Sequence, residues 1–276
     1  MSAITTAKRD FLAVRRSKMI WFVVGIYALL MGMLFYWERN NPAQNAVEYP
    51  LMGMAGLGAF VLPLVALVAA YLAIAGERES GAIRYALSMP TSRTDFVLGK
   101  YLSRAAIVGG AVAFAFTIGV ALAVLWFSTV PLVLFGQVFV LTVAYALAYV
   151  SVAVTISALT GSRSRAMGGA IAFYMVTVVL LMFQYSLGRL FGWVTNSALS
   201  LDVSTSGVEF VEAITSPTVL YFRSLDWVVE EDTNPPGAGQ ESVWYLEPEL
   251  MAALLCAWIV VPIALACWQF NRTEMS

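Results

Sequence analysis

Six apolar segments, each near the length of a helix that crosses a bilayer, constrain this chain more than any other feature. They cover residues 19–37, 51–75, 105–126, 131–158, 167–187 and 250–270. Only helices and closed barrels satisfy every backbone hydrogen bond in lipid, and a helix needs about 20 apolar residues to cross. The sequence therefore predicts an all-α integral membrane protein, with six transmembrane helices in a single domain over residues 1–276.

The lysine and arginine residues predict the orientation of these helices. With a cytoplasmic N-terminus, thirteen of the 16 Lys and Arg residues lie on the cytoplasmic side. Only Arg39, Arg189 and Arg223 then lie outside. Because cytoplasmic loops carry an excess of positive charge, we expect both termini in the cytoplasm of a multi-pass cell-membrane protein.

Residues 1–18 precede the first span and have a basic, amphipathic pattern. Apolar side chains recur at helical spacing from Ile4 to Val14, with cationic side chains between them. One interpretation is an elbow helix that lies on an anionic membrane surface. The other is a plain basic flank to the first span. In the first interpretation, the residues at the membrane surface are Lys8, Arg9, Phe11, Arg15 and Arg16.

The segment 76–104 is the one strongly polar block in the first half of the chain. Residues 82–87 can form a short helix with one apolar face, which Met89-Pro90-Thr91 ends because proline disfavours helix in the residue before it. Ser92, with Asp95 three residues later, predicts the N-cap of a second helix that continues into the third span. This helix-turn-helix either docks in the groove of a partner or lies on the membrane surface as a linker.

The segment 188–249, between the fifth and sixth spans, is the longest one that is not predicted to cross. Apolar residues at 208, 211 and 214 indicate a short helix. Ser216-Pro217 predicts the start of a second helix that runs through Trp227, with serine as N-cap and proline at the first helical position. We expect small extracytoplasmic helices packed on the outer mouth of the bundle.

The chemistry that is absent from the sequence also narrows the function. The chain has no histidine, and none of the six spans carries a charged residue in its interior. These absences argue against ion-coupled transport and exclude a serine–histidine protease. Zinc and nucleotide-binding motifs are absent too, so we expect no cofactor on this chain and an energy source in another subunit. A net charge of −1 gives no support for nucleic-acid binding.

Two sets of side chains within the spans are candidates for a pathway or a metal site. Polar residues of the fourth span can line a pathway, and interhelical hydrogen bonding explains them equally well. Methionine thioethers near the outer face suit Cu(I), and methionine is also a common packing residue. The candidate pathway residues are Gln137, Tyr145, Tyr149 and Thr155, and the candidate thioethers are Met31, Met33, Met52 and Met54.

Three short motifs in the segment 76–104 resemble a known family. Residues 76–81 are GERESG, residues 89–93 are MPTSR, and Gly99-Lys100 precedes the third span. This order is similar to that of ABC-2 type permeases, the membrane subunits of type-2 ATP-binding cassette (ABC) exporters. Within that family it most resembles the NosY-like branch, which is tied to copper-site maturation of nitrous oxide reductase. Ala82 stands where the family usually has threonine.

The resemblance implies a permease subunit, not an enzyme. It implies a homodimer, or a heterodimer with a sister permease, bound to two separate ATPase subunits that carry the ATP and magnesium. The segment 76–104 would be the first coupling helix, and the loop 160–165 a second, smaller contact. The residues implied in ATPase contact are Glu77, Arg78, Glu79, Arg84, Pro90, Arg93, Asp95, Arg163 and Arg165. Two alternatives stay open: a membrane subunit that transmits ATPase strokes in copper-enzyme assembly without passing a substrate, and a stand-alone membrane scaffold.

Overall fold

The computed structural model describes residues 2–14, 18–39, 47–83, 92–183, 185–201, 203–229 and 243–272. All regular structure in these ranges is helical, which confirms the all-α prediction. The helices are α1 (Ala3–Val14), α2 (Lys18–Glu38), α3 (Glu48–Ala70), α4 (Ala75–Glu79), α5 (Arg93–Trp126), α6 (Leu132–Leu159), α7 (Arg163–Met182), α8 (Leu187–Trp193), α9 (Thr205–Thr215), α10 (Pro217–Val229) and α11 (Pro248–Arg272). Helix α7 contains a π-helical turn at Met175–Val179, and another follows α8 at Val194–Ala198.

Five segments of the described chain are long and apolar enough to cross a membrane: α3 with α4, α5, α6, α7 and α11. They correspond to the second to sixth predicted spans. Helix α2 has 21 residues and covers the predicted first span. The membrane-embedded, helical class is therefore confirmed, whereas the count of six spans stays a prediction.

Helix α5 is the longest helix of the described chain, with 34 residues. At 1.5 Å per residue it is about 51 Å long, well beyond the hydrocarbon thickness of about 30 Å. It begins at the predicted cap, where Ser92 Oγ accepts a hydrogen bond from the Asp95 N–H at 3.0 Å and donates one to its carboxylate at 2.7 Å. The predicted N-cap at Ser92 is thus confirmed, with Asp95 as its side-chain partner, and α5 runs from this cap through the third span without a break.

Helix α6 lies at the centre of the bundle, in contact with α3, α5, α7, α10 and α11. Small residues such as Ala146, Ala148 and Ala153 are completely buried along it, and small side chains let neighbouring helices approach closely. We call the end of the bundle that holds α1, α4 and the start of α5 the basic end. The end of α6 and the start of α7 lie there too, together with the end of α11.

Helices α9 and α10 form a hairpin that enters the bundle from the end opposite the basic end. At its tip, the Ser216 hydroxyl donates to the Thr177 carbonyl of α7 at 3.0 Å. The next polar residue, Thr218, is hydrogen-bonded through Oγ1 to the hydroxyls of Tyr145 at 3.1 Å and Tyr149 at 2.7 Å. Tyr145 is at the midpoint of α6, so the tip reaches the middle of the membrane-spanning bundle.

The depth of this hairpin differs from the prediction of small helices on the outer mouth, and the sequence at its tip is compatible with burial. Residues 213–222, around the tip of the hairpin, carry no charge, and this run is too short to cross a bilayer. The charged residues lie away from the tip, and Arg223 of α10 donates to Glu209 of α9 at 2.9 Å. A non-helical turn at this depth is tolerated only when protein buries it and satisfies its polar groups. Here the Trp258 indole N–H donates to the Ile214 carbonyl at 3.2 Å, beside the Ser216 contact.

A proline in α3 exposes a backbone carbonyl that α6 then satisfies. Pro63 has no N–H, so the Ala59 carbonyl four residues earlier lacks its helical partner. The Tyr145 hydroxyl donates to this carbonyl at 2.6 Å. Tyr174 of α7 donates to the adjacent Phe60 carbonyl at 3.2 Å. The proline break thereby becomes the point at which α3, α6 and α7 are joined.

We predict that Tyr145→Phe destabilises the protein by about 1 kcal/mol, because the Ala59 carbonyl loses its donor in a fully buried site. Adding Pro63→Ala should recover much of this loss, since an alanine at that position restores the N–H that bonds to Ala59. The measurement is unfolding of the purified chain in mixed micelles, with Tyr185→Phe at an exposed position as control. A Tyr145→Phe chain that Pro63→Ala leaves equally unstable would contradict this role.

Candidate functional site at the basic end

A buried ionic cluster joins three separate elements at the basic end. Lys100 of α5 forms ion pairs with Asp10 of α1, at 2.6 Å, and with Glu77 of α4. Arg104, one turn further along α5, lies 3.4 Å from the second carboxylate oxygen of Asp10. The Lys100 side chain is only 6% exposed, so these contacts are shielded from solvent. Ion pairs therefore hold helix α1 against α5.

Gly99 explains how α1 comes close enough for these contacts. A Cβ at this position would lie 2.6 Å from Thr6 Cβ and 2.9 Å from the Ala3 carbonyl oxygen of α1. Real Cβ atoms do not approach other atoms so closely, and only glycine allows two helix backbones to pack at this distance. Gly99 and Lys100 thus have different physical roles, although the sequence identifies the pair only by resemblance. Gly99 allows α1 to pack closely, and Lys100 forms the ion pairs.

The Asp10 carboxyl has a shifted pKa. Burial alone would raise the pKa, but the positive charges of Lys100 and Arg104 outweigh it and hold the pKa below its ordinary value. A carboxyl whose pKa is lower in the folded than in the unfolded chain stabilises the fold only while it is ionised. Its contribution is present above about pH 4 and is lost as the pH falls through the folded pKa.

Arg78 and Ser157 join α4 to the end of α6. The Arg78 guanidinium donates to the carbonyls of Ala158 at 2.9 Å and Thr160 at 3.3 Å, and it lies over the Phe270 ring of α11. The last carbonyls of a helix have no partner within it, so this arginine caps the C-terminus of α6. In return, Ser157 Oγ accepts the N–H groups of Ile74 and Ala75 at 2.9 Å each, at the start of α4.

Further contacts bind the segment to α7 and α11. The Glu79 carboxylate accepts a hydrogen bond from the Arg163 N–H at 2.6 Å, at the N-terminus of α7, where a negative charge is favoured. Arg93 donates to the carbonyls of Phe270 at 3.3 Å and Asn271 at 3.4 Å in the last described turn of α11. Phe96, one turn after Arg93, stacks on Phe270.

The described residues among those predicted to contact an ATPase fall into two groups. Glu77, Arg78, Glu79 and Arg93 make contacts within the chain that hold the segment to the bundle. Asp95 is in the Ser92 cap, Arg163 pairs with Glu79, and Arg165 Nε donates to Ser162 at 3.1 Å on the exposed loop. Their contact with an ATPase stays a prediction. Arg84 and Pro90, together with Arg15 and Arg16 of the elbow prediction, lie outside the described residues.

Helix α1, predicted as an elbow helix, packs against α5, a contact that the sequence does not reveal. Lys8 and Arg9 are exposed and Phe11 is half-buried on α1, as expected for a surface helix. The inward face, however, carries Asp10, the one acidic residue among the first 37. Sequence reasoning missed Asp10, Lys100, Arg104 and Ser157. The available signals were this isolated acid within a basic helix and the Gly99-Lys100 pair of the family motif.

The four candidate pathway residues occupy different environments. Gln137 is exposed, and Thr155 borders a groove between α6 and α11. Tyr145 and Tyr149 are completely buried, and Tyr149 is also hydrogen-bonded to Thr177 at 2.9 Å. The two tyrosine hydroxyls therefore take part in interhelical hydrogen bonds, the second interpretation of these residues. A role in a pathway stays a prediction.

The candidate thioethers are divided between the core and the surface. Met31 and Met54 are buried, whereas Met33 is 64% exposed. Residues two apart on a helix point about 200° apart, so Met31 and Met33 cannot face one ion together. Among the described residues, no group of three or more His, Cys, Asp or Glu side chains could hold a metal. The thioether site stays a prediction without an assembled ligand set in this structure.

The fold and site define a polytopic helical membrane protein whose basic end is assembled by a polar segment between two spans. A family model described as ABC-2 family transporter protein matches residues 4–275. Because this match covers nearly the whole chain, the chain belongs to the ABC-2 family of transporter proteins.

Two relatives carry the name probable ABC transporter permease protein NosY. The one from Pseudomonas aeruginosa is 26% identical over 184 residues, which cover 64% of this chain and 66% of the relative. The one from Stutzerimonas stutzeri is 28% identical over 146 residues, which cover 49% of this chain and 51% of the relative. This chain therefore aligns with between half and two-thirds of the length of these permeases.

We predict that Lys100→Met destabilises the chain by about 3 kcal/mol, because it leaves two carboxylates without their shared partner in a buried site. Adding Asp10→Asn should cost less than the sum of the single changes, since the residues interact directly. Unfolding in mixed micelles measures both. Lys8→Met on the exposed face of α1 is the control, and additive effects would contradict the cluster.

We also predict a pH signature for Asp10. The difference in melting midpoint between the wild type and Asp10→Asn should be largest near neutral pH. It should shrink as the pH falls below about 4, where the Asp10 carboxyl of the unfolded chain is protonated first, until the folded carboxyl, whose pKa is lower, is protonated as well. The measurement is thermal unfolding in detergent from pH 7 to pH 3. Glu249→Gln, at an exposed position near the opposite end, should differ little from wild type at any pH, and a pH-independent Asp10→Asn difference would refute the assignment.

Proposed function

We propose that this chain is the permease subunit of an ABC transporter that works as an exporter. In this proposal it crosses the membrane six times with both termini in the cytoplasm. The basic end then faces the cytoplasm, α1 is the elbow helix at the membrane surface, and the segment 76–104 is the coupling segment. Membership of the ABC-2 family and the excess of Lys and Arg on one side support this arrangement.

One observation carries the proposal: the segment 76–104 is bonded to four different helices. Lys100 pairs with α1, Arg78 caps α6, Glu79 accepts from the start of α7, and Arg93 donates to the end of α11. A force applied to such a segment moves several spans together, because its contacts are directional and short. This arrangement suits a part that converts motion of a cytoplasmic partner into motion of the bundle.

The partner in this proposal is a separate ATPase subunit that binds ATP and magnesium. The sequence has no phosphate-binding loop, so hydrolysis belongs to another chain. A second copy of this chain, or a sister permease, completes the complex. A neighbouring reading frame with a Walker A motif would identify the ATPase.

A second candidate function is a membrane subunit that transmits ATPase strokes in copper-enzyme assembly without passing a substrate. The observation that favours it is that buried side chains fill the middle of the bundle. Tyr145, Tyr149 and Tyr221 are fully buried there, and the rings of Tyr145 and Tyr221 stack with centroids 4.4 Å apart. Substrate-stimulated ATPase activity of the reconstituted complex supports the exporter, whereas coupled ATPase activity that no transported compound changes supports the transmitter.

We predict that Arg84→Glu/Arg165→Glu reduces co-purification of the ATPase subunit with this chain. Each change reverses a charge that is proposed to face the partner, and within the described part of the chain the Arg165 side chain bonds locally, to Ser162 of its own loop. The measurement is the ATPase-to-permease ratio after affinity purification from membranes. Single exposed ion pairs contribute about 0–1 kcal/mol, so the double change is needed to give a clear loss.

The controls separate docking from folding. Arg189→Glu, at the end opposite the basic end, should leave the ratio unchanged. Arg93→Glu is a poor test by itself, because it also removes contacts to α11. If Arg84→Glu/Arg165→Glu binds the ATPase as well as wild type at equal thermal stability, the coupling assignment is wrong.

A further inference from the structure

A lateral groove of about 390 Å³ runs between α6 and α11. Helix α6 contributes Val152, Thr155 and Ile156 to its wall, and α11 contributes a row of apolar residues from Leu254 to Leu265. The Thr155 hydroxyl donates to the Ser151 carbonyl at 2.8 Å, and the Trp258 indole N–H donates to the Ile214 carbonyl at 3.2 Å, so both polar side-chain groups on the wall are already hydrogen-bonded. The groove therefore offers a ligand apolar contact only. Its volume is in the range of small-molecule sites, which is about 300–1,000 Å³.

The same face of α11 leads from this groove to a positive charge at the basic end. Leu254, Leu265 and Arg272 fall within about 20° of one line along the helix surface, given 100° per residue. Arg272 is exposed, and its guanidinium lies over the Trp268 ring at 4.1 Å from the centroid. An aromatic ring beside a basic residue is typical of the level of lipid headgroups.

The distance between the two features matches one leaflet. Trp258 borders the groove where it meets the hairpin residue Ile214. From Trp258 to Arg272 the helix rises about 21 Å. Half of a bilayer with its headgroups is about 20–22 Å thick. A phospholipid whose phosphate lies at Arg272 would therefore place its chain end at Trp258, beside the tip of the hairpin.

We propose that this groove binds one acyl chain of a phospholipid from the leaflet at the basic end, with the lipid phosphate at Arg272. The apolar wall packs against the acyl chain, and the Arg272 guanidinium is complementary in charge to the phosphate. Basic sites beside transmembrane helices recognise anionic headgroups in this way. The chain end then contacts Ile214 and Trp258, so the bound lipid supports the turn of the hairpin.

Native mass spectrometry of the full chain, purified from membranes and stripped with detergent, tests the proposal. We expect one retained phospholipid per wild-type chain, with phosphatidylglycerol preferred to phosphatidylcholine on re-addition. Ala257→Trp, which fills the groove, should abolish retention. Arg272→Gln should weaken binding of phosphatidylglycerol about fivefold, the effect of one basic residue near an anionic headgroup, and remove the preference.

Matched variants make the result specific. Val260→Trp adds the same ring to the exposed face of α11 and should leave retention intact. Lys8→Gln removes a charge from α1 at the same end and should leave the preference for phosphatidylglycerol intact. Wild-type chain without a retained lipid, or equal retention in Ala257→Trp and Val260→Trp, would overturn the proposal. Loss of a chain–chain cross-link in Ala257→Trp, with lipid retention unchanged, would show instead that a second copy covers the groove.

A photoreactive phosphatidylglycerol with a diazirine on its acyl chain gives a second readout that needs no variant. Illumination of the wild-type chain in vesicles should place adducts on the peptides of α6 and α11 that border the groove. Adducts spread evenly over all exposed helices would refute a defined chain site.

Discussion

A break in a helix inside a bilayer leaves backbone groups that water cannot reach, and this constraint governs the bundle. Side chains of neighbouring helices satisfy the groups that several breaks expose. Tyr145 bonds to the carbonyl that Pro63 frees, and Trp258 bonds to the carbonyl before the hairpin turn. Ser157 takes the first N–H groups of α4, and Arg78 takes the last carbonyls of α6. These four irregular points of the backbone are therefore also points of attachment between helices.

The parts of the fold that depend on local chemistry could be predicted from the sequence. Hydropathy gives the long helices, because a bilayer requires about 20 apolar residues regardless of what surrounds them. The Ser92 cap and the start of α10 at Pro217 follow from residues adjacent in sequence. The depth of the hairpin could not be predicted in this way, since it depends on Thr177 and Tyr149 from distant helices.

The candidate site, too, could be predicted from the sequence only in part. Arginines near the cytoplasmic end of a membrane protein suit both contact with a partner and capping of a helix, and sequence alone does not choose between them. The structure gives Arg78 and Arg93 capping roles, which leaves the exposed Arg165 as the better candidate for contact among the described arginines. Asp10 could not be assigned from sequence, because its partner Lys100 lies 90 residues away. Only the folded chain brings this acid and base together in a buried site.

The unbroken length of α5 has a mechanical consequence. A helix of about 51 Å behaves as a rod, and a tilt of about 5° about its base would carry its far end through about 4 Å. Because Lys100 and Arg104 hold the base of this rod to α1, a tilt of α5 would pivot where it contacts α1. The chain thus has the geometry of a lever. The short arm of α5 lies among the charges at the basic end, and its long arm extends to the opposite face of the membrane, so a small tilt at the basic end becomes a larger displacement there.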